Sequence, residues 1–421
     1  MNQLSTFWNA PRQHWLRRAL FQVHLWVSLI FGTLIALVSV TGAIVVFRVE
    51  MNRMTTPGTA YVKSEAQRLP LDTLIAAVLK VRPDDGLRNV SMEAGPDVAW
   101  NVRTSSQNGH RFHNFVDQYR GVVVGSDDYG LNLKPDIHTK FLQWMWDLHA
   151  NLLAGKTGRL VNGFVALGAL VLSLSGLILW WPGRKLLRFG FTYLFGGSWK
   201  RQNYDLHKLT GFYSFAFLAL VSFTGAYFSF PDIYRDIATR LSNSTRTAAA
   251  DCCGEDGPPA KTSLSDRQVR FEDYLTIAER AMPGYHAVFM SFPYKSGMSV
   301  DVKLKGANDW HRVGLSNVYL EPATGKVIAV DSFAGNSPAT KFIKLMLPLH
   351  FGRFGERFGL GAFGLYAVMV IYVIVGLAAG ALMVTGYLMF WNRYLSKRSR
   401  RWLAFCRLFS TSKVEGTNAH C

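Results

Sequence analysis

The sequence predicts an α-helical integral membrane protein with four main transmembrane helices, two small α+β external domains and an internal duplication. Two observations predict this fold class. Four uncharged apolar runs interrupt the 421-residue chain, and each is long enough to cross a bilayer as a helix. The runs are 25–47, 160–182, 209–231 and 360–392. The order of apolar run, long polar segment and apolar run then occurs twice, which indicates the duplication.

The predicted domain boundaries follow from these runs. The polar segments are long enough to fold as small domains, whereas the link between the second and third runs is short. In order, the parts are the N-terminus (1–19), first span (20–47), first external domain (48–140), interfacial helix with second span (141–182), link (183–205), third span (206–231), second external domain (232–342), interfacial segment with fourth span (343–392) and tail (393–421).

The basic residues follow membrane topology rather than a nucleic-acid-binding pattern. The net charge is +18, and lysines and arginines concentrate in the N-terminal region, the link and the tail. The positive-inside bias therefore predicts that both termini and the link are cytoplasmic. We expect a multi-pass protein of the bacterial inner membrane, with both external domains in the periplasm. The first apolar run is too long for a signal-peptide core, which predicts a retained span.

Each external segment is predicted to contain an amphipathic helix followed by strands. Helical apolar spacing covers residues 71–81 and, in the second segment, 271–282. An acidic residue and a turn ending in glycine, at 117–121 and again at 321–325, predict a β-hairpin in each segment. Alternating residues predict further strands around 98–102, 112–116 and 300–304. A Ser-, Gly- and Pro-containing stretch at 242–266 is predicted to be a loop.

Four histidines stand at the edges of the predicted spans in a repeated frame. His24 and His207 each precede a Thr-Gly pair by seventeen residues, whereas His149 and His350 lie upstream of a Ser-Gly and a Thr-Gly pair. The hydroxyl residues of these motifs are Thr41, Thr224, Ser175 and Thr385. The topology puts His24 and His207 at the cytoplasmic face and the other two at the external face. We attribute the Ser/Thr-Gly motifs to close helix packing.

These pairs predict two b-type haems, with His24 and His207 as the iron ligands of one and His149 and His350 of the other. A bis-histidine haem takes one imidazole from each of two facing helices. An ionisable residue at the edge of a span usually marks function. The sequence contains no Cys-x-x-Cys-His motif, which excludes covalent c-type attachment. His138 and Met346 are alternative ligands, and the role of adjacent Cys252 and Cys253 is open.

Small and basic residues near the histidines suggest how a haem could be held. Ser28 and Gly211 lie one helical turn after His24 and His207, where they would leave room for a porphyrin. Glycines follow the external histidines and are predicted to end a short interfacial helix before each span. The candidate propionate contacts are Arg159, Arg353 and Arg357. The other histidines are expected to be surface residues: His14, His110, His113, His138, His286, His311 and His420.

Together these motifs resemble the PepSY-associated transmembrane proteins, including iron-regulated membrane proteins of the FoxB and PiuB type. The resemblance rests on the four histidines with their Ser/Thr-Gly pairs, on Trp180-Trp181-Pro182 and on the 321–327 hairpin, and it covers nearly the whole chain. The external domains then correspond to PepSY-like domains.

The resemblance implies an inner-membrane haem oxidoreductase that reduces ferric iron held in a siderophore, releasing Fe(II) during iron uptake. Hard oxygen ligands bind ferric iron much more strongly than ferrous iron, so reduction loosens the chelate. The sequence has no Gly-rich nucleotide motif, so the electron donor is expected to be a cytoplasmic reductase or a quinol. The alternatives are a haem protein serving another periplasmic acceptor and a non-enzymatic PepSY protein that binds or regulates a partner.

Overall fold

The computed structural model describes most of the chain. The described residues are 8–9, 11, 14–92, 95–128, 137–242, 268–293, 298–307, 309–311 and 313–395. Apart from Ser242, the predicted 242–266 loop lies outside them, as do Cys252, Cys253, His420 and the tail from 396. The side chain of His138 is also outside the described part.

The helices include four that are long and apolar enough to cross a membrane. These four confirm the predicted spans, and they are α1, α6, α8 and α12, the last of which continues as an apolar helix to Tyr394. The full set is α1 (Trp15–Val45), α2 (Arg48–Thr55), α3 (Pro57–Ala60), α4 (Leu71–Val81), α5 (Ile137–Asn151), α6 (Gly155–Trp180), α7 (Leu187–Gly190), α8 (Trp199–Ser229), α9 (Pro231–Ser242), α10 (Phe271–Ala281), α11 (Pro338–Phe351) and α12 (Gly361–Phe390). Shorter turns lie at Arg184–Leu186, Gly355–Phe358 and Trp391–Leu395.

The strands of both external segments form a single antiparallel sheet. They are β1 (Gly86–Ser91), β2 (Trp100–Ser105), β3 (Arg111–Asp117), β4 (Val122–Asp128), β5 (His286–Ser291), β6 (Val300–Lys305), β7 (Ser316–Leu320) and β8 (Val327–Asp331). The order across the sheet is β4-β3-β2-β1-β5-β6-β7-β8. The sequence predicted two separate small domains, whereas the structure joins them where β1 pairs with β5.

The chain divides into two compact units. The membrane-helix unit comprises Met1–Ala43, His149–Ser229 and Val373–Cys421. The second unit comprises Ile44–Leu148 and Phe230–Tyr372, and it is called the external unit after the side of the membrane that the sequence predicts for it.

Neighbouring helices of the membrane-helix unit contact each other in sequence order. Ile35 of α1 packs with Val165 and Leu172 of α6. Arg17 of α1 donates to the carbonyl oxygens of Leu179 and Trp181 at the end of α6. Such a cation satisfies carbonyl groups that a helix end leaves without partners. Helices α6 and α8 are also neighbours.

Helix α12 closes this unit by contacting both α8 and α1. Asn203 of α8 donates to the Thr385 carbonyl at 3.0 Å. On the other side, Gly32 of α1 leaves room for the Tyr387 hydroxyl, which would lie 2.5 Å from a Cβ at position 32. Helices α1 and α8 therefore both flank α12 and both flank α6, so the two histidine-bearing helices stand opposite each other across the unit.

One hydrophobic core holds the external unit together. Leu74, Val102, Tyr274 and Val302 are all buried in it, so both external segments contribute. Burial of this apolar surface is the main favourable term for folding the unit.

The helices that cover the sheet cap each other reciprocally. Asp72 of α4 accepts from the backbone N–H groups of Phe271 and Glu272 at 2.9 and 3.0 Å. Glu272 in turn accepts from the Leu71 N–H at 2.7 Å. A carboxylate is favoured at a helix N-terminus because the first N–H groups lack partners within the helix. Arg68 pairs with Glu272 at 2.7 Å, and these contacts together lower the pKa of the Glu272 carboxyl against the opposing effect of its burial.

Candidate functional site

His24 and His207 occupy matching environments in the membrane-helix unit. The Nδ1 atom of His24 lies 2.8 Å from the Ser175 hydroxyl of α6. The Nδ1 atom of His207 lies 2.8 Å from the Thr385 hydroxyl of α12. Both imidazoles are half-buried.

The hydroxyl partners determine which ring nitrogen carries the hydrogen. Ser175 donates its own hydrogen to the Val171 carbonyl at 2.6 Å, so its oxygen accepts from the ring of His24. Thr385 likewise donates to the Ala381 carbonyl at 2.8 Å. Both histidines therefore carry a hydrogen on Nδ1, and the lone pair is on Nε2. A metal-ligating histidine typically uses its second nitrogen in this way.

In three of the four Ser/Thr-Gly motifs, the glycine lies beside an imidazole of a different helix. A Cβ at position 176 would lie 3.5 Å from Cε1 of His24, and one at 386 would lie 3.5 Å from Cε1 of His207. At position 42 a Cβ would lie only 2.8 Å from Cε1 of His149. These three motifs therefore lie against histidine rings, a role that the prediction of close helix packing did not include.

A buried ionic cluster fixes the chain just before His207. Asp205 is fully buried and accepts from Arg201 at 2.8 Å and Lys208 at 2.9 Å. Its carboxylate also accepts from the Leu194 backbone N–H at 3.3 Å. A buried carboxylate is costly without partners, and these three bonds offset that cost. They also connect Leu194 of the link to the first turns of α8.

His149 shows the same hydrogen pattern with a backbone acceptor. Its Nδ1 lies 2.9 Å from the Val38 carbonyl oxygen, which can only accept, so Nδ1 carries the hydrogen. Burial lowers the pKa of His149, against the raising effect of this bond. The ring is therefore neutral at neutral pH, with its Nε2 lone pair available to a metal.

A sharp break follows His149, as the glycine spacing predicted. Helix α5 ends at Asn151, and α6 begins at Gly155 with a φ of +55°. Leu152 and Leu153 between them adopt φ values of +52° and +59°, a left-handed conformation that costs energy for these residues. The break leaves His149 near the end of its own helix rather than within the span.

His350 lies at the end of α11 in the external unit. The helix ends at Phe351, and the next residue, Gly352, has a φ of +65°, which suits glycine. The Tyr372 hydroxyl donates to the Leu349 carbonyl, and the Tyr372 ring packs against Gly352. The His350 ring is half-buried beside Phe351, with ring centroids 6.0 Å apart. Met346, the alternative ligand, is fully buried.

The predicted propionate contacts lie in three different environments. Arg353 pairs with Glu50 at 2.7 Å and donates to the Val46 carbonyl at 3.2 Å. Arg357 lies over the Trp310 ring, 5.0 Å from its centroid. Arg159 is exposed. Arg353 is thus already engaged by a carboxylate.

The predicted small residues both lie near α12. Ser28 donates to the Leu25 carbonyl at 2.8 Å, and its own carbonyl accepts from Tyr387 at 3.3 Å. A Cβ at position 211 would lie 3.7 Å from the Leu382 side chain, an ordinary contact distance. Gly211 therefore has room for one further methyl group on that side.

Two histidines that were predicted to be surface residues are buried. His14 and His311 are 9% and 7% exposed, so the prediction for them was wrong. His113 is half-buried on the sheet, where it bonds Asn101. Alternation in β3 predicts that His113 and Phe115 lie on the same face of the strand, but it does not predict which residues of other strands are their neighbours.

Within the described residues, no three His, Cys, Asp or Glu side chains form a metal-ligand group, whereas a bis-histidine haem needs only two.

Four helices long and apolar enough to cross a membrane, together with a unit of helices and one eight-stranded sheet, define a membrane protein with an α+β part. The family model for the PepSY-associated TM region matches residues 21–393. The chain therefore belongs to the PepSY-associated TM family, as the sequence resemblance indicated. A search of curated proteins found no match.

Proposed function

We propose that this chain is a di-haem reductase of the bacterial inner membrane that reduces ferric iron in a siderophore and releases Fe(II). The FoxB and PiuB type of membrane protein is the proposed subgroup. His24 and His207 would be the axial ligands on the cytoplasmic side, and His149 and His350 on the external side. A haem bound at each pair would supply a one-electron carrier.

One observation carries this proposal: two histidines on opposite helices have the same tautomer, fixed by the same kind of hydroxyl. The bonds to Ser175 and Thr385 orient His24 and His207 and put the lone pair on Nε2 in both rings. Small residues beside each ring limit steric conflict with a planar ligand. A satisfied core histidine would need no such repeated arrangement.

The proposed reaction moves one electron from a donor to the ferric chelate. The donor, a cytoplasmic reductase or a quinol, is oxidised by one electron for each Fe(III) reduced to Fe(II). The chelate then releases iron because its hard oxygen ligands bind Fe(II) weakly. The chain's role is to hold the carriers on the two sides of an apolar layer. Cytoplasmic termini are part of the proposal, supported by the distribution of basic residues.

We also infer an internal duplication. Each external segment contributes one helix followed by four strands, and the two helices cap each other through equivalent acidic residues, Asp72 and Glu272. The His24 and His207 environments repeat in the same way.

Visible spectroscopy of the purified full-length protein tests the proposed function. We expect a Soret band and, after dithionite reduction, the sharp α and β bands of b-type haem. The reduced protein should be reoxidised by a ferric trihydroxamate, with Fe(II) appearing in a ferrous-specific dye. Haem without Fe(II) formation would favour another periplasmic acceptor. A protein that binds no haem would favour the non-enzymatic, partner-binding alternative.

Removing the hydroxyl partners should weaken haem binding without removing a ligand. We expect Ser175→Ala and Thr385→Val to weaken haem binding by about 10- to 100-fold, because each leaves an imidazole without its orienting bond. Ser173→Ala is the matched control, since Ser173 lies on the same helix and donates only to the Ala169 carbonyl. Haem titration of the apoprotein measures the effect. Equal affinities in all three variants would show that the hydroxyls do not orient the ligands.

A further inference from the structure

We propose that the link (183–205) binds the headgroups of anionic phospholipids at the membrane surface. The inference goes beyond the proposed function and does not depend on haem binding. The link joins α6 to α8, two helices long and apolar enough to cross a membrane, and it lies entirely within the membrane-helix unit. Only Gly183 separates Arg184 from the uncharged run 160–182, so the link begins where the apolar layer ends.

The link exposes large apolar side chains along most of its length. Phe195 is 85% exposed, and Leu194 and Trp199 are each 54% exposed. Other exposed apolar side chains of the link include Leu186, Leu187, Phe189 and Phe191. A segment that begins at the edge of the apolar layer can insert such side chains between lipids, and aromatic residues favour this interfacial depth. The surface that they fit is therefore the bilayer, because it is continuous with the spans on either side.

Hydrogen bonds from α6 and α8 fix the backbone of the link. The Trp180 indole of α6 donates to the Gly190 carbonyl at 3.2 Å. From α8, Lys208 donates to the carbonyl oxygens of Phe189 and Thr192 at 3.0 and 2.9 Å. Because these bonds use backbone carbonyls, they order the segment without engaging its exposed basic side chains. The exposed surface of the link is therefore a defined part of the fold.

The link carries more positive charge than its own carboxylate neutralises. Its one acidic residue is Asp205, which pairs with Arg201 and Lys208. Four other basic residues of the link are exposed and, in the described part of the chain, have no carboxylate within ion-pair distance: Arg184, Lys185, Arg188 and Lys200. Basic side chains at headgroup level are attracted to anionic lipids. Charge complementarity therefore favours an anionic headgroup over a zwitterionic one.

Native mass spectrometry of the full-length protein in detergent tests this site. The probes are phosphatidylglycerol, which is anionic, and phosphatidylcholine with the same acyl chains, which is zwitterionic. We expect the wild type to bind phosphatidylglycerol about tenfold or more tightly than phosphatidylcholine. The double variant Lys185→Gln/Arg188→Gln should lose most of this preference, because each charge contributes about fivefold. Phe195→Ser should weaken the binding of both lipids alike, since it removes an apolar contact and no charge.

Matched variants separate the link from the general positive charge of the protein. Lys80→Gln/Lys326→Gln removes two exposed lysines outside the link and should keep the wild-type preference. Arg188→Lys keeps the charge and should also keep it. A second link pair, Arg184→Gln/Lys200→Gln, should lose the preference as the first pair does, so the test does not depend on the folding of one variant.

Three results would overturn the proposal. The wild type could bind the two lipids equally, both link pairs could keep the preference, or the control pair could lose it as the link pairs do. Polyglutamate, added as a soluble acidic polypeptide, tests the other class of partner that a basic surface can take. Link variants that lose polyglutamate binding but keep the lipid preference would show that the surface binds an acidic protein instead.

Discussion

His207→Ala is expected to remove one of two haems and to leave the other in place. The substitution deletes an axial ligand, and a haem with one remaining imidazole is held weakly. Haem absorbance per protein should therefore fall by about half. His24→Ala should give the same spectrum, and the double variant should lose no more than either single variant, since both residues serve one site. Pyridine haemochrome assays and redox titration measure the loss.

Three further variants make this result specific. His286→Ala removes an exposed histidine at the start of β5 and should leave the spectrum unchanged. His149→Ala and His350→Ala should each remove the second haem and spare the first. If His207→Ala abolished both signals equally, or neither, the assignment of His24 and His207 to one haem would be wrong.

The spans and the helix break could be predicted because each leaves a local signal in the sequence. An uncharged run of sufficient length has few alternatives to a spanning helix. Glycine spacing likewise indicated the end of α5 before Gly155. The two hairpin turns were also predictable: Gly121 and Gly325 adopt φ values of +67° and +70°, which acidic-turn-glycine patterns favour.

The two central strands could not be predicted from alternation. In β1 the register shifts between Leu87 and Asn89, and in β5 between Ala287 and Phe289. A β-bulge places two successive residues against one partner, so it interrupts the period-two pattern. Because the bulges hide β1 and β5 from the alternation pattern, the sequence indicates no strand that joins the two segments. Two domains are therefore predicted where the structure has one sheet.

The histidines of the candidate site were predictable, but their partners were not. Spacing along one chain identified His24 and His207, because the same frame occurs twice. Which hydroxyl meets which ring depends on helix packing, which brings Ser175 to His24 and Thr385 to His207. The Ser/Thr-Gly motifs could be recognised in the sequence, but their role beside the histidines became clear only from the contacts between helices.

Gly158→Ala is expected to displace His149 and destabilise the membrane-helix unit. Gly158 is buried in the first turn of α6, where a Cβ would lie 1.7 Å from the Asn151 carbonyl oxygen. A backbone atom cannot move aside as a flexible side chain can, so the 151–158 connection must rearrange. Asn162 of α6 also donates to the His149 carbonyl at 2.7 Å, so the same rearrangement would disturb this bond between the two helices. We expect a loss of about 2 kcal/mol or more in stability.

The spectrum should report the same displacement, because His149 loses its bond to the Val38 carbonyl when the connection moves. Gly158→Ala should therefore lose the same haem as His149→Ala, although no ligand has been replaced. Gly58→Ala is the matched control, since a Cβ there would meet no atom within 4 Å. Thermal unfolding in detergent and the reduced visible spectrum measure both effects. A Gly158→Ala protein with wild-type unfolding and both haems would show that the 151–158 connection does not position His149.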